Sequence, residues 1–134
     1  MTLVTEDLSR LVPFADVLGI EITRAGADEV HGRMPWASDR CTSAGVLHGG
    51  AIMAFADTLG AVLASLNLPE GALTTTIESK TNFFRAVTSG VVEGTARPLH
   101  VGRRTIVVQT DLVRDSDGKR VAQVTQTQAV IAKD

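Results

Sequence analysis

The chain has 134 residues, 44% of them hydrophobic, with 13 basic against 15 acidic side chains and a formal net charge of −2. That is the size of one domain with a core of its own and too small for two. No basic face dominates, which argues against general electrostatic binding to nucleic acid.

The single Cys41 excludes an internal disulfide framework, and no Cys/His spacing suits a metal, so no cofactor and a reducing intracellular setting are expected. Cys41 itself is expected to be inert. Glu6 and Asp7 stand where a signal peptide carries positive charge. A soluble, cytoplasmic protein with no membrane partner is the expectation.

In chain order, Leu8, Leu11, Val12 and Phe14 recur at helical spacing behind a possible cap, Thr5, and predict a short amphipathic helix ended by Pro13 or Gly19. Ile20 to Ala25 and Glu29 to Trp36, joined by Gly26-Ala27-Asp28, predict a hairpin. Pro35 to Val46 has no clean period and reads as a loop.

Val46 to Leu66 is an apolar helix with a His48-Gly49-Gly50 entrance and one interior acid, Asp57. Asp57, Ser65 and Asn67 interrupt it before it could span a bilayer. Pro69-Glu70-Gly71 stops it, and from Leu73 the residues are those of extended chain. Further strands are predicted near Val91 to Pro98, Thr105 to Arg114 and Val121 to Ile131.

The turns at Thr88-Ser89-Gly90, Val101-Gly102-Arg103 and Asp115-Ser116-Asp117-Gly118 predict antiparallel neighbours. The class is therefore α+β, one long helix on a single sheet.

Steps of about 100° put Ile52, Phe55, Leu59, Val62, Leu63 and Leu66 on one bulky stripe of the helix. Opposite lie Gly50, Ala54, Gly60, Ala61, Ala64 and Ser65, with Met53 at the edge and Asp57 near the middle. A solvent-facing helix normally carries Lys, Glu and Arg there, so this small face is expected to be covered by a partner helix, a ligand or both. Asp57 is then an acid in a crevice; the alternative is a helix acid that simply reaches solvent.

If His48-Gly49-Gly50 opens the helix, its first N–H groups lack intrahelical partners and can face an anion or a carbonyl oxygen. Those are the makings of an oxyanion site; the alternative is a Gly-rich helix start beside a satisfied histidine. Gly49 and Asp57 are separated by roughly 12 Å at 1.5 Å per residue. A catalytic acid or base must come within about 3 Å of its target, so one subunit cannot supply both. Two antiparallel helices related by a two-fold axis would place Gly49 of one chain beside Asp57 of the other.

These residues resemble the hotdog-fold thioesterases, in the branch of the phenylacetic-acid-pathway and 4-hydroxybenzoyl-CoA enzymes. The likeness runs from about Pro13-Phe14-Ala15 to Val130. It rests on Gly45-x-x-His48-Gly49-Gly50 with Ala56-Asp57-Thr58, on Asn82-Phe83-Phe84-Arg85-Ala86, and on Leu99-His100-Val101-Gly102-Arg103-Arg104.

The resemblance implies a central helix wrapped by a curved antiparallel sheet, dimers with continuous sheets, and often homotetramers. It also implies acyl-CoA hydrolysis with coenzyme A as part of the substrate. The Gly49 N–H would polarise the thioester carbonyl, Asp57 of the partner chain would act as nucleophile or as base toward water, and His48 would help position the thioester. Gly50 would belong to the same substrate-binding entrance.

Six residues before His48, relatives commonly carry Asn or Gln; here the residue is Thr42. Thr42, Ser43 or Thr76 is expected to take over the amide's task. Arg85 and Gly102-Arg103-Arg104 match positions that contact the nucleotide of CoA. With Lys80 and Arg97 they form a basic segment against the single acid Glu93; the alternative for these charges is a solvated hairpin. Of Phe83 and Phe84, adjacent on a strand, one is expected in the core and the other toward the acyl group.

An aryl- or medium-chain acyl-CoA thioesterase is the leading function. A non-catalytic acyl-CoA-binding module on the same scaffold is the alternative, and a hydratase fits worse because no matching Asp/His pair occurs.

Overall fold

The long helix starts where the sequence places an entrance and no intrahelical donor partner. His48 keeps an extended backbone (φ −63°, ψ 135°), and its ring nitrogen caps the Gly50 N–H at 2.7 Å. The helix ends where Asn67 donates to the carbonyls of Leu63 and Ala27, both at 2.9 Å, ahead of Pro69.

The computed structural model describes Leu8 and residues 11–132. Within them lie helices α1 (Pro13–Val17) and α2 (Gly49–Ser65) and strands β1 (Glu21–Ala25), β2 (Val30–Pro35), β3 (Leu73–Phe83), β4 (Val91–Val101), β5 (Thr105–Arg114) and β6 (Arg120–Ile131). The strands form one six-stranded antiparallel sheet in the order β1-β2-β4-β5-β6-β3. α2 packs against β2, β3, β4, β5 and β6, so the sheet wraps the helix in the expected α+β arrangement. No helix among the described residues is long and apolar enough to cross a membrane.

Strand alternation decides what faces the helix. Val30, Gly32 and Met34 of β2, Val92, Gly94 and Ala96 of β4, Ile106, Val108 and Leu112 of β5, and Ala122 and Val124 of β6 point inward. Phe55, Leu59 and Leu63 of α2 are fully buried against them, each worth about 1.5–3 kcal/mol in transfer terms.

Close approach is possible because Gly32 and Gly94 are register partners beneath the helix. A Cβ on Gly94 would lie 2.5 Å from Leu59 Cδ1, and one on Gly32 would lie 2.6 Å from Leu59 Cδ2. Gly94→Ala is therefore expected to overpack this layer and to lower unfolding free energy by about 1–3 kcal/mol in urea titration.

Several expectations from sequence need correction. Leu8 and Leu11 are helical and Val12 N donates to Leu8 O at 2.7 Å, but the helix breaks at Val12 (φ −133°, ψ 83°) just before Pro13, as expected. What the sequence did not show is that Pro13 also opens a second short helix, α1, because the first helical position needs no N–H and suits the fixed φ of proline. The chain turns away at Gly19 (φ +69°). The expected cap Thr5 lies outside the described residues. The Pro35 to Val46 loop contains two 3₁₀ turns, Ser38–Arg40 and Ser43–Gly45.

The Thr88-Ser89-Gly90 turn does not join neighbouring strands. β3 pairs with β6 at the far edge, and the segment after it crosses below the start of α2 to reach β4. That crossing is fastened by backbone bonds from Phe84 N to Val121 O, Leu47 N to Val87 O and Trp36 N to Gly90 O, each 2.8 Å. Arg114 adds a bond to Ala86 O at 2.7 Å. The same guanidinium, with the Lys119 N–H, holds the Asp117 carboxyl well below the usual carboxylate range.

The helix faces also shift. Gly60 and Ala64, expected on the small outer face, are buried toward the sheet. Gly50, Met53 and Ser65 are exposed, and Ala54, Asp57 and Ala61 are half-buried.

Candidate active site

The site residues fall into two groups at different heights on α2. At the helix start, Gly49 N–H has no acceptor among the described residues, whereas Gly50 N–H is taken by His48 Nδ1. Accepting at Nδ1 places the proton of a neutral ring on Nε2. Of the two glycine donors considered, only Gly49 is left to face a ligand.

The loop before the helix is pinned from both sides. Trp36 Nε1 donates to Gly45 O at 2.9 Å and Arg40 Nη1 to Pro35 O at 2.9 Å, while His48 N donates to Arg40 O at 2.9 Å. Ala44 and Gly45 both take left-handed backbone (φ 61° and 71°), which turns the chain sharply after Thr42.

Thr42, Gly49, Ile52, Phe83, Phe84 and Arg85 line one cavity of about 390 Å³. The Phe83 ring lies so close to Gly49 that a Cβ there would be 3.1 Å from its Cζ. Phe83 and Phe84 are 50% and 51% exposed, so neither is core: β3 is an edge strand, and Phe84 lies just past its end.

Two turns along the helix, Asp57 is held on one oxygen. Thr76 Oγ1 donates to Asp57 Oδ1 at 2.8 Å, and Gln126 Nε2 donates to the same atom at 2.9 Å. Gln128 Nε2 donates to Thr76 Oγ1 at 2.7 Å, and Thr74 Oγ1 bonds Gln128 Oε1 at 3.1 Å. Asp57 Oδ2 has no hydrogen-bond partner among the described residues.

A cavity of about 220 Å³ lined by Met53, Ala54, Asp57, Thr76 and Ser79 opens at this carboxylate. A second, of about 230 Å³ and lined largely by Leu8, Leu11, Val12, Ala61, Val62 and Leu66, meets it from the α1 side.

Within one protomer Thr76 is thus bonded to Asp57 and lies apart from Thr42, which lines the Gly49 cavity. Gln126 and Gln128, both fully buried, are part of the acid's surroundings and do not emerge from the motifs. The signal was available: Ala122, Val124, Gln126 and Gln128 occupy the inward positions of β6, and polar residues at two of them break the apolar alternation.

The basic segment is not one patch. Arg85 lies by the Gly49 cavity and donates to Arg120 O at 2.8 Å. Gly102, Arg103 and Arg104 form the β4–β5 turn, where Gly102 N donates to Thr105 O at 2.8 Å. Arg103 lines a groove with Pro69, Glu70 and Val130. From Thr105 to Val113, beside Arg85, β5 runs roughly 27 Å at about 3.4 Å per residue. Lys80 lies on edge strand β3. Arg97 is taken by Glu29 at 3.1 Å, and the Glu29 carboxyl is held below its ordinary value first by His31 and then by Arg97 and Arg24.

Comparison with known proteins places this geometry. The sequence profile described as Thioesterase superfamily matches residues 44–121, more than half of the chain. The proofreading thioesterase EntH of Cronobacter turicensis is 34% identical over 120 residues, covering 90% of this chain and 87% of that one. Among solved structures, a thioesterase from Haemophilus influenzae superposes with a TM-score of 0.90 at 34% identity, covering 98% of this chain and 93% of that chain. A mutant thioesterase from Pseudomonas aeruginosa superposes with a TM-score of 0.90 at 30% identity, covering 98% and 96%. Sequence profile, relatives and wrapped helix agree: the chain belongs to the thioesterase superfamily and has the hotdog fold.

Proposed function

We propose that this thioester hydrolase cleaves aryl- or medium-chain acyl-CoA thioesters in sites shared between two protomers. One observation carries the reading. A helix N–H without an acceptor and a carboxylate oxygen without a partner, which thioester hydrolysis needs at one carbonyl, lie roughly 12 Å apart along one helix, so neither can serve the other's substrate within a protomer.

A two-fold pairing of α2 closes that gap. The edge strand β3 has the same offset: Phe83 lies by Gly49 and Thr76 by Asp57. Antiparallel pairing of two β3 edges about Ser79 and Lys80 sets Phe83 of one protomer opposite Thr76 of the partner subunit, and brings Gly49 beside the partner subunit's Asp57.

In this arrangement the thioester carbonyl oxygen accepts from Gly49 N–H, where the helix dipole favours the developing negative charge. Asp57 Oδ2 removes a proton from water as it attacks, or attacks the carbonyl carbon itself to give an anhydride that water then opens. In either route the C–S bond breaks, the thiolate takes up a proton, and acid and CoA leave. His48 sets the helix start, and Thr42 lines the thioester's cavity.

Arg85 is proposed to receive the CoA phosphates as a bidentate donor. The Gly102-Arg103-Arg104 turn, at the other end of the same sheet, can share that nucleotide only from another protomer. This supports a homodimer as the working unit, with pairing into a homotetramer as the further proposal.

The test is thiol release from a panel of aryl- and fatty acyl-CoA esters by the purified protein. Turnover with at least one ester is expected. Recovery of every ester intact after long incubation, with the protein folded and dimeric, would replace this function by a binding module.

A further inference from the structure

We propose that Gln126 is the positioning residue for the Asp57 carboxylate and that Gly60 is glycine to make room for it; this rests on the assignment of Asp57 as the reacting acid. Gln126 is fully buried in β6, and its amide nitrogen is 2.9 Å from Asp57 Oδ1.

The amide orientation follows from chemistry, since a carboxylate oxygen requires a donor and only the Nε2 side can supply it. That choice leaves Gln126 Oε1 buried without a hydrogen-bond partner. An apolar side chain of like volume would avoid this cost, so core packing gives no reason for an amide here. Its one polar contact in the described structure is Asp57.

Room for the amide comes from the helix opposite. A Cβ on Gly60 would overlap the Gln126 carboxamide, although Gly60 is a right-handed helical residue in mid-helix, where glycine is normally unfavourable.

The second bond to the same oxygen has a fixed direction as well. Gln128 Nε2 donates to Thr76 Oγ1, which turns the Thr76 proton toward Asp57. Two glutamines of one strand thereby fix Oδ1, one directly and one through Thr76, and leave Oδ2 toward the cavity.

The experiment compares kcat, KM and Tm for Gln126→Met, Gly60→Ala and the pair Gly60→Ala with Gln126→Ala, using Asp57→Asn as reference. Gln126→Met is expected to lower kcat about 10- to 100-fold, with KM within about twofold and Tm equal to or above wild type, since the orphan carbonyl is gone. Gly60→Ala is expected to lower both Tm and kcat; adding Gln126→Ala restores Tm and leaves kcat low.

Wild-type kcat in Gln126→Met overturns the proposal. So does a kcat that recovers together with Tm in the pair, which would make the role one of packing, and this arm decides the matter even if Gln126→Met fails to fold. Full turnover in Asp57→Asn is a different result: it removes the acid assignment itself.

Discussion

Asp57→Asn is expected to lower kcat by about 10²–10⁴-fold, the range for loss of a positioned base or nucleophile, while the protein folds and assembles as before. The substitution is well suited to the site. Asp57 Oδ1 accepts from Thr76 at 2.8 Å and Gln126 at 2.9 Å, and the asparagine carbonyl can accept both bonds. Only Oδ2, which has no protein partner among the described residues, is exchanged for a group that neither takes a proton nor attacks a carbonyl.

Stability measured by urea unfolding should therefore change by less than about 1 kcal/mol. Asp57→Ala is a poorer probe, because it strands the Gln126 amide and the Thr76 hydroxyl at a cost of about 1–3 kcal/mol. Wild-type turnover in Asp57→Asn would show that another group does the chemistry.

Gly49→Pro is expected to lower kcat by about 10²–10³-fold, the loss typical of one oxyanion donor. Proline removes the N–H and puts its Cδ where that hydrogen pointed, so the donor is lost and its site is closed to a carbonyl oxygen. The first helical position tolerates it, as Pro13 shows at the start of α1. His48 before it already has the extended backbone (φ −63°, ψ 135°) that a following proline requires.

The added ring atoms press on Phe83, 3.1 Å from a Cβ at this position, so Gly49→Ala serves as the control: it adds the same Cβ and keeps the N–H. Activity close to wild type in Gly49→Ala with loss in Gly49→Pro assigns the effect to the N–H position and not to the contact with Phe83. Equal losses in both would assign it to displacement of Phe83.

Much of the fold was legible because it is local. The apolar period of α2, the alternation of β5 and β6 and the turn residues around Gly118 each act within a few positions. What escaped were long-range choices. Seven residues after β3 look like a hairpin link, yet they cross the molecule, since the exposed edge beside β6 and the slot beside β2 are defined by strands distant in sequence.

The helical wheel misplaced Gly60 because a small residue is compatible with either face until its neighbour is known, and that neighbour is Gln126, 66 positions away in the chain. The arginines formed a cluster in the sequence only: an antiparallel strand pair carries adjacent turns to opposite ends of the sheet. The spacing from Gly49 to Asp57 was informative without any structure, because the rise of a helix is fixed.

The claim that the site is shared is tested most directly by mixing. Gly49→Pro and Asp57→Asn proteins are each expected to be inactive alone, and are unfolded and refolded together in equal amounts. About half of the resulting dimers contain one chain of each kind, and each of these has one intact site in two, so about a quarter of wild-type activity is expected. No recovery above either parent, with mixed dimers present, would mean that Gly49 and Asp57 work within one chain and would contradict the account.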